Sequence, residues 1–185
     1  MVDQFKSLVD ELARVDEGKS NLLKAQFARA VAQERQTLQQ FEVLLQGGNP
    51  EHGQAVFFGK KAACSTCHRI DGQGGAIGPD LSRVGAIRSG RDLLESIIVP
   101  GSTFAQGYEN YLVVTKEGQV FSGVMARQDT WAIVLRDSSG TERLVPRDSI
   151  DQMRLSRTSL MPEGLDKVLT HEELHDLVAF LLSLK

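Results

Sequence analysis

The stretch Cys64-Ser65-Thr66-Cys67-His68 constrains this chain more than any other. Two thiols two residues apart, followed at once by an imidazole, are the attachment pattern of c-type haem. The order follows from the chemistry. Each thiol adds to one vinyl group and makes a thioether. Two intervening residues on a helical turn set the sulfurs a porphyrin edge apart, and the next residue presents its imidazole to the iron. The other readings are half of a zinc site, a redox dithiol or a surface disulfide. A zinc site needs further thiolates or histidines nearby. The chain has no other cysteine, and His52, His171 and His175 lie far off in sequence. A thioredoxin-like dithiol should sit at the mouth of a βαβ unit, and no such pattern is visible.

A length of 185 residues gives room for one ordinary domain plus an appendage, or for two small domains. A net charge of −3 without a basic tract gives no reason to expect nucleic acid. No apolar run reaches the length of a membrane span. Met1 to Asp10 lacks the basic start and apolar stretch of a signal peptide. Covalent haem is attached outside the cytoplasm. The expectation is therefore a processed or excised piece whose export signal lay upstream, working in the periplasm or another extracytoplasmic compartment.

Residues 1–48 read as an N-terminal helical segment of two helices. Val2, Phe5, Leu8, Val9, Leu12 and Val15 fall near helical spacing, Gly18 breaks the run, and Leu22 to Leu45 continue it. Their apolar face would pack on the rest of the chain, make a homodimer, or mark the tail of a truncated helical-repeat domain. Gly47-Gly48-Asn49-Pro50 is a stop. Asn49 is a good N-cap and Pro50 suits the first helical position, so a new helix starts there and runs towards Cys64.

Gly72-Gln73-Gly74-Gly75-Ala76-Ile77-Gly78-Pro79-Asp80-Leu81 reads as a loop that approaches something closely, with the flat haem edge as the natural candidate. A metal-bound His usually donates its other ring N–H to a fixed acceptor. The Pro79 carbonyl is the candidate, unless Gly-Pro-Asp is only a turn. Ser89 would cap a helix through Ile98. From Tyr108 the period changes. Tyr108–Thr115, Val120–Met125, Ala132–Leu135, Leu144-Val145 and Ile150 read as short strands of a small antiparallel sheet or barrel. Thr170-His171-Glu172-Glu173 looks like a capping box opening a last helix.

Together these segments resemble class I c-type cytochromes. The resemblance rests on Gly53 with Phe57, the Cys64–His68 motif, Gly78-Pro79-Asp80-Leu81, Met161 in a loop, and a last helix carrying Phe180. It implies a mainly α cytochrome c fold at residues 49–185, interrupted by a β-rich insert at about 104–157, with Phe180 packed near Phe57. The match is closest to haem-binding domains at the C-termini of large predicted extracytoplasmic dehydrogenases. That match rests on the Gly74-Gly75 loop, Leu93-Leu94-Glu95-Ser96-Ile97, Gly107-Tyr108-Glu109, Ser159–Leu165 and Asp176-Leu177.

By the same resemblance Met161 is the sulfur ligand opposite His68. Met125 and Met153 read as core filler in the β region. His171 and His175 are the rivals, one in a capping turn and one read as a helix-surface residue. An open distal site is a third option. Cys64, Cys67, His68, Pro79, Leu81 and Met161 are thus the candidate haem-binding residues, with His68 and Met161 on the iron. Ile77, Leu81 and Ile97 are candidates for pocket walls or ordinary core. Arg83, Arg88 and Trp131 are candidates for the propionates.

A haem with both axial positions filled passes single electrons and has no vacancy for substrate. The leading expectation is an electron carrier rather than an enzyme, taking electrons from a dehydrogenase and passing them to a soluble carrier or an oxidase. The alternatives are a gas sensor or peroxidase with an exchangeable distal ligand, and an interaction module whose β block binds a partner.

Overall fold

The computed structural model describes residues 17–185. The helix expected over Val2–Val15 lies outside the described residues. The chain divides into two compact units after Phe41. In the first, α1 spans Glu17–Phe41 as one helix. Gly18, expected to break the helical run, lies instead within its first turn. A glycine is cheapest there, because the first turn has no complete set of intrahelical bonds to lose.

The second unit opens with a 3₁₀ turn, Glu42–Leu45, and then α2, Pro50–Phe58. Asn49 caps α2, its side-chain oxygen accepting from the N–H groups of Glu51 and His52 at 3.0 and 3.3 Å. A short α3, Cys64–Cys67, runs into a hairpin of β1, Arg69–Ile70, and β2, Gln73–Gly74. After α4, Val84–Ile87, Ser89 starts α5, Gly90–Ile98, through a reciprocal cap with Asp92. At the far end of the chain are α6, Leu165–Val168, and α7, His171–Ser183, whose cap joins Thr170 and Glu173.

These helices pack because each carries one apolar stripe. In α5 it is Leu93, Leu94, Ile97 and Ile98, and in α7 it is Leu174, Leu177, Val178 and Leu181. The most extensive helix pairing is α2 on α7, and α4 and α5 also lie against α7. Phe57 is 1% exposed, and its ring centroid is 5.9 Å from that of Phe180. Burying a side chain of this size stabilises by about 1.5–3 kcal/mol.

Between α5 and α6 stands the β-rich insert. Its strands are β3 (Asn110–Thr115), β4 (Val120–Gln128), β5 (Ala132–Arg136), β6 (Glu142–Pro146) and β7 (Ile150–Leu155). They form one antiparallel sheet in the order β6-β5-β4-β3-β7. The first four make a meander, and a 3₁₀ turn at Arg147–Ser149 returns the chain so that β7 pairs with β3. Val113, Ile133, Leu135 and Val145 form the buried cluster of the sheet. Met125 packs at its margin, as expected of a filler. Met153 does not: it is 42% exposed, because β7 is an edge strand and its residues after Ile150 all face water.

Candidate functional site

The attachment motif starts from a left-handed residue. Ala63 has φ +51°, a conformation that costs a non-glycine residue about 1–2 kcal/mol. It launches the single turn of α3, closed by His68 N–H on the Cys64 carbonyl at 2.9 Å. The two thiols are free and half-buried at the two ends of this turn. Burial pushes the Cys64 thiol up to about 11, with the neighbouring Cys67 adding to the rise. A redox dithiol or a thiolate ligand needs the opposite environment.

The glycine-rich segment is zipped onto the motif. Gly75 N–H donates to the Ser65 carbonyl, Gly78 N–H to Cys67 and Leu81 N–H to Arg69, each at 2.8 Å. The sequence suggested that these glycines face a haem edge, but Gly74, Gly75 and Gly78 face the motif itself. A β-carbon on Gly75 would lie 1.9 Å from the Thr66 carbonyl oxygen, and one on Gly78 would lie 2.6 Å from His68 Cε1. The close approach is backbone to backbone and backbone to imidazole, which a composition of glycines cannot distinguish from backbone to ligand.

His68 Nδ1 lies 2.9 Å from the Pro79 carbonyl oxygen. A carbonyl only accepts, so Nδ1 carries the proton and Nε2 keeps its lone pair for a metal. Burial holds the imidazole below its ordinary value, with the Pro79 carbonyl pulling the other way. The ring is therefore neutral at neutral pH, the form that ligates. Among the described residues, no three His, Cys, Asp or Glu side chains gather to hold a metal ion. A porphyrin brings four donors of its own, so Nε2 suffices as the protein's nitrogen on its iron.

Among the described residues, Arg69 Nε and Ser102 Oγ are buried without a hydrogen-bond partner. Such an atom costs about 1–3 kcal/mol if nothing satisfies it. Arg69 directly follows His68 in the chain. Residues 50–135 match the family model of cytochrome c. The matched segment holds the motif, the glycine loop, α4, α5 and the first strands of the sheet, and it ends before Met161. A cytochrome c domain implies covalently bound haem c with its iron, a haem-binding electron-transfer role and redox partners. Cytochrome c domains are typically extracytoplasmic. No helix among the described residues is long and apolar enough to cross a membrane. Comparison with curated proteins finds no match to the chain.

Cys64, Cys67 and His68 would hold the haem, covalently through sulfur and axially through Nε2, with the Pro79 carbonyl fixing the imidazole. The group supplies one-electron chemistry at its iron. The other candidates fall in several places. Leu81 is half-buried and tied to Arg69 through its backbone. Ile97 is a core residue of α5, and Ile77 is half-buried in the glycine loop. Arg83 and Arg88 are exposed around α4, and Trp131 stands 82% exposed beside β5. Met161 is half-buried in the loop before α6, its N–H donating to Ser159 Oγ at 3.1 Å. His175 is not the plain surface residue expected. Its Nε2 donates to the Gln46 carbonyl at 2.7 Å, which commits it to the turn before α2.

Sequence reasoning passed over Arg69. An arginine next to an attachment motif carries no spacing signal, and only burial without a partner singles it out.

Proposed function

We propose that this chain is a one-electron carrier, not an enzyme, whose haem iron is held between His68 and Met161. It would work outside the cytoplasm and relay electrons from a fused or partner dehydrogenase to a soluble carrier or an oxidase. The observation that carries the reading is the His68–Pro79 hydrogen bond directly after two free thiols. It fixes one tautomer and orients one nitrogen, as an axial ligand requires. Met161 is the candidate for the second ligand. It sits in a loop between β7 and α6, bounded by Pro162 and Gly164, and is the half-buried thioether of that stretch. A thioether opposite an imidazole favours ferrous iron over bis-imidazole ligation and raises the potential.

The test is the absorption spectrum of protein matured in a host that exports and attaches haem. The expected result is a low-spin haem with a weak near-infrared sulfur–iron band when oxidised, lost in Met161→Ala. A colourless product rejects the haem. A band unchanged in Met161→Ala rejects the ligand. Rapid cyanide binding by the native protein points instead to an exchangeable distal site.

A further inference from the structure

The β insert reaches the haem motif through one corner. Arg136, the last residue of β5, donates from Nη1 to the Ala76 carbonyl at 2.9 Å. Its Nη2 donates to Glu142 Oε1 at 2.7 Å, and Glu142 Oε2 accepts from Arg127 at 2.8 Å. The guanidinium is thus held by the sheet while its other arm reaches into the glycine loop. The β5–β6 turn adds a second contact. Asp137 organises it by accepting from the N–H groups of Ser139 and Thr141. At its tip, a β-carbon on Gly140 would be 3.6 Å from Ile77 Cδ1.

Ala76 and Ile77 lead directly into Gly78 and Pro79. Gly78 lies against the His68 ring, and Pro79 accepts its Nδ1 proton. We propose that Arg136 is a positioning residue for the haem: clamped by Glu142, it fixes the glycine loop at Ala76 and so sets the strength of the His68–Pro79 hydrogen bond. This deepens the electron-carrier reading and rests on it. The hydrogen bonding of an axial histidine is one lever a protein has on a haem potential. A stronger bond from Nδ1 makes the imidazole a better donor and favours ferric iron. The insert then acts on the proximal side of the haem, over a sequence separation of 60 residues.

Arginine also brings charge, which acts in the opposite direction, since a positive charge favours ferrous iron. The variants must separate the two. Arg136→Lys keeps the charge and loses the planar two-armed geometry. Glu142→Gln keeps Arg136 and weakens its clamp, but its lost negative charge raises the potential by itself, so this variant is judged on proton exchange. Both are expected to raise the midpoint potential of the haem-loaded protein and to speed exchange of the His68 Nδ1 proton, read by nuclear magnetic resonance of the reduced form. Arg127→Lys alters the same carboxylate from the side that does not reach Ala76, and should leave both readouts at the native value. If Arg136→Lys does not mature, Glu142→Gln carries the test through the exchange rate. Haem-loaded Arg136→Lys with native potential and native exchange, or Glu142→Gln with native exchange, overturns the inference and leaves the carrier reading intact. An equal shift in Arg127→Lys also overturns it, since the effect would then belong to the sheet as a whole. A native protein that matures without haem overturns both.

Discussion

Gly53 faces the backbone of Asp176 so closely that a β-carbon at position 53 would lie 1.9 Å from the Asp176 carbonyl oxygen and 2.7 Å from Phe180 Cβ. This is the crossing of α2 and α7, which brings Phe57 beside Phe180 and closes the helical core. Gly53→Ala gains about 1 kcal/mol of helix propensity. Against that, the added carbon meets backbone that cannot rotate away, and overpacking of this kind costs about 1–3 kcal/mol or more. The clash wins. We expect Gly53→Ala to lower the thermal midpoint, and a midpoint at or above the native value would show that the helices do not cross here.

The same crossing buries the Asp176 carboxylate, 6% exposed, and its Oδ1 accepts from the Asn49 N–H at 2.7 Å. The exposed His52 ring stands 3.6 Å from Oδ2. Asp176→Ala removes the acceptor and strands a partly buried N–H at the start of α2, at a cost of about 1–3 kcal/mol. Asp176→Asn keeps a carbonyl oxygen and should recover part of that loss. Denaturant unfolding of the two variants side by side checks the order.

Much of this was legible in the sequence because it depends on neighbours. Asn49-Pro50, Ser89 with Asp92 and Thr170 with Glu173 each complete their caps within four residues. The Asp137–Gly140 turn is equally local. Strand β7 was read only at Ile150, because an edge strand facing water on nearly every residue gives no alternation to see. The position of the insert was legible, but its contacts were not. Arg136 meets Ala76 across 60 residues and Asn110 meets Thr158 across 48, and neither pairing leaves a trace in local composition.

Gly78→Ala tests the imidazole directly. The new carbon would lie 2.6 Å from Cε1 and 2.9 Å from Nδ1 of His68, so the ring or the loop must shift. Either movement lengthens the bond to the Pro79 carbonyl. We expect haem attachment to survive, since both thiols remain, while the potential rises and the reduced spectrum broadens. A variant identical to the native protein in potential would remove the glycine from the account of ligand orientation.

Acid should loosen the turn leading into the attachment motif. The Lys61 ammonium, and then the Thr170 N–H, hold the Glu173 carboxyl below its ordinary value of 4.5. As pH falls through that value, the unfolded chain takes up the proton before the folded one does. The contribution is therefore complete above about pH 4.5 and is lost as pH falls towards the lowered folded value. Both partners are partly exposed, so the effect is small and sensitive to salt. Lys61→Met should lower the neutral plateau slightly and so flatten the acid limb of a stability profile, leaving its acid end where it was. A native profile already flat from about pH 6 to pH 3.5 would contradict the pair.

Asn110 ties the sheet to the loop that carries Met161. It is 3% exposed, and its Nδ2 donates to the Thr158 carbonyl at 2.7 Å while Ser122 Oγ donates to its Oδ1 at 3.1 Å. Its own carbonyl accepts from the Ser156 N–H at 2.7 Å. Two of these bonds, to Ser156 and Thr158, hold the exit from β7, three residues before Met161, and the third ties Asn110 to β4. Asn110→Ala removes both side-chain bonds, whose partners Thr158 and Ser122 are exposed residues, at a net cost of about 0.5–1.5 kcal/mol for each. Asn110→Asp is worse in kind, because it turns a donor into a carboxylate oxygen facing the Thr158 carbonyl. If Met161 closes the sixth position of the iron, as proposed, releasing this anchor should speed displacement of the thioether by added imidazole while leaving His68 untouched. Displacement at the native rate in a folded Asn110→Ala protein would mean that the loop is held to the haem by contacts other than the sheet.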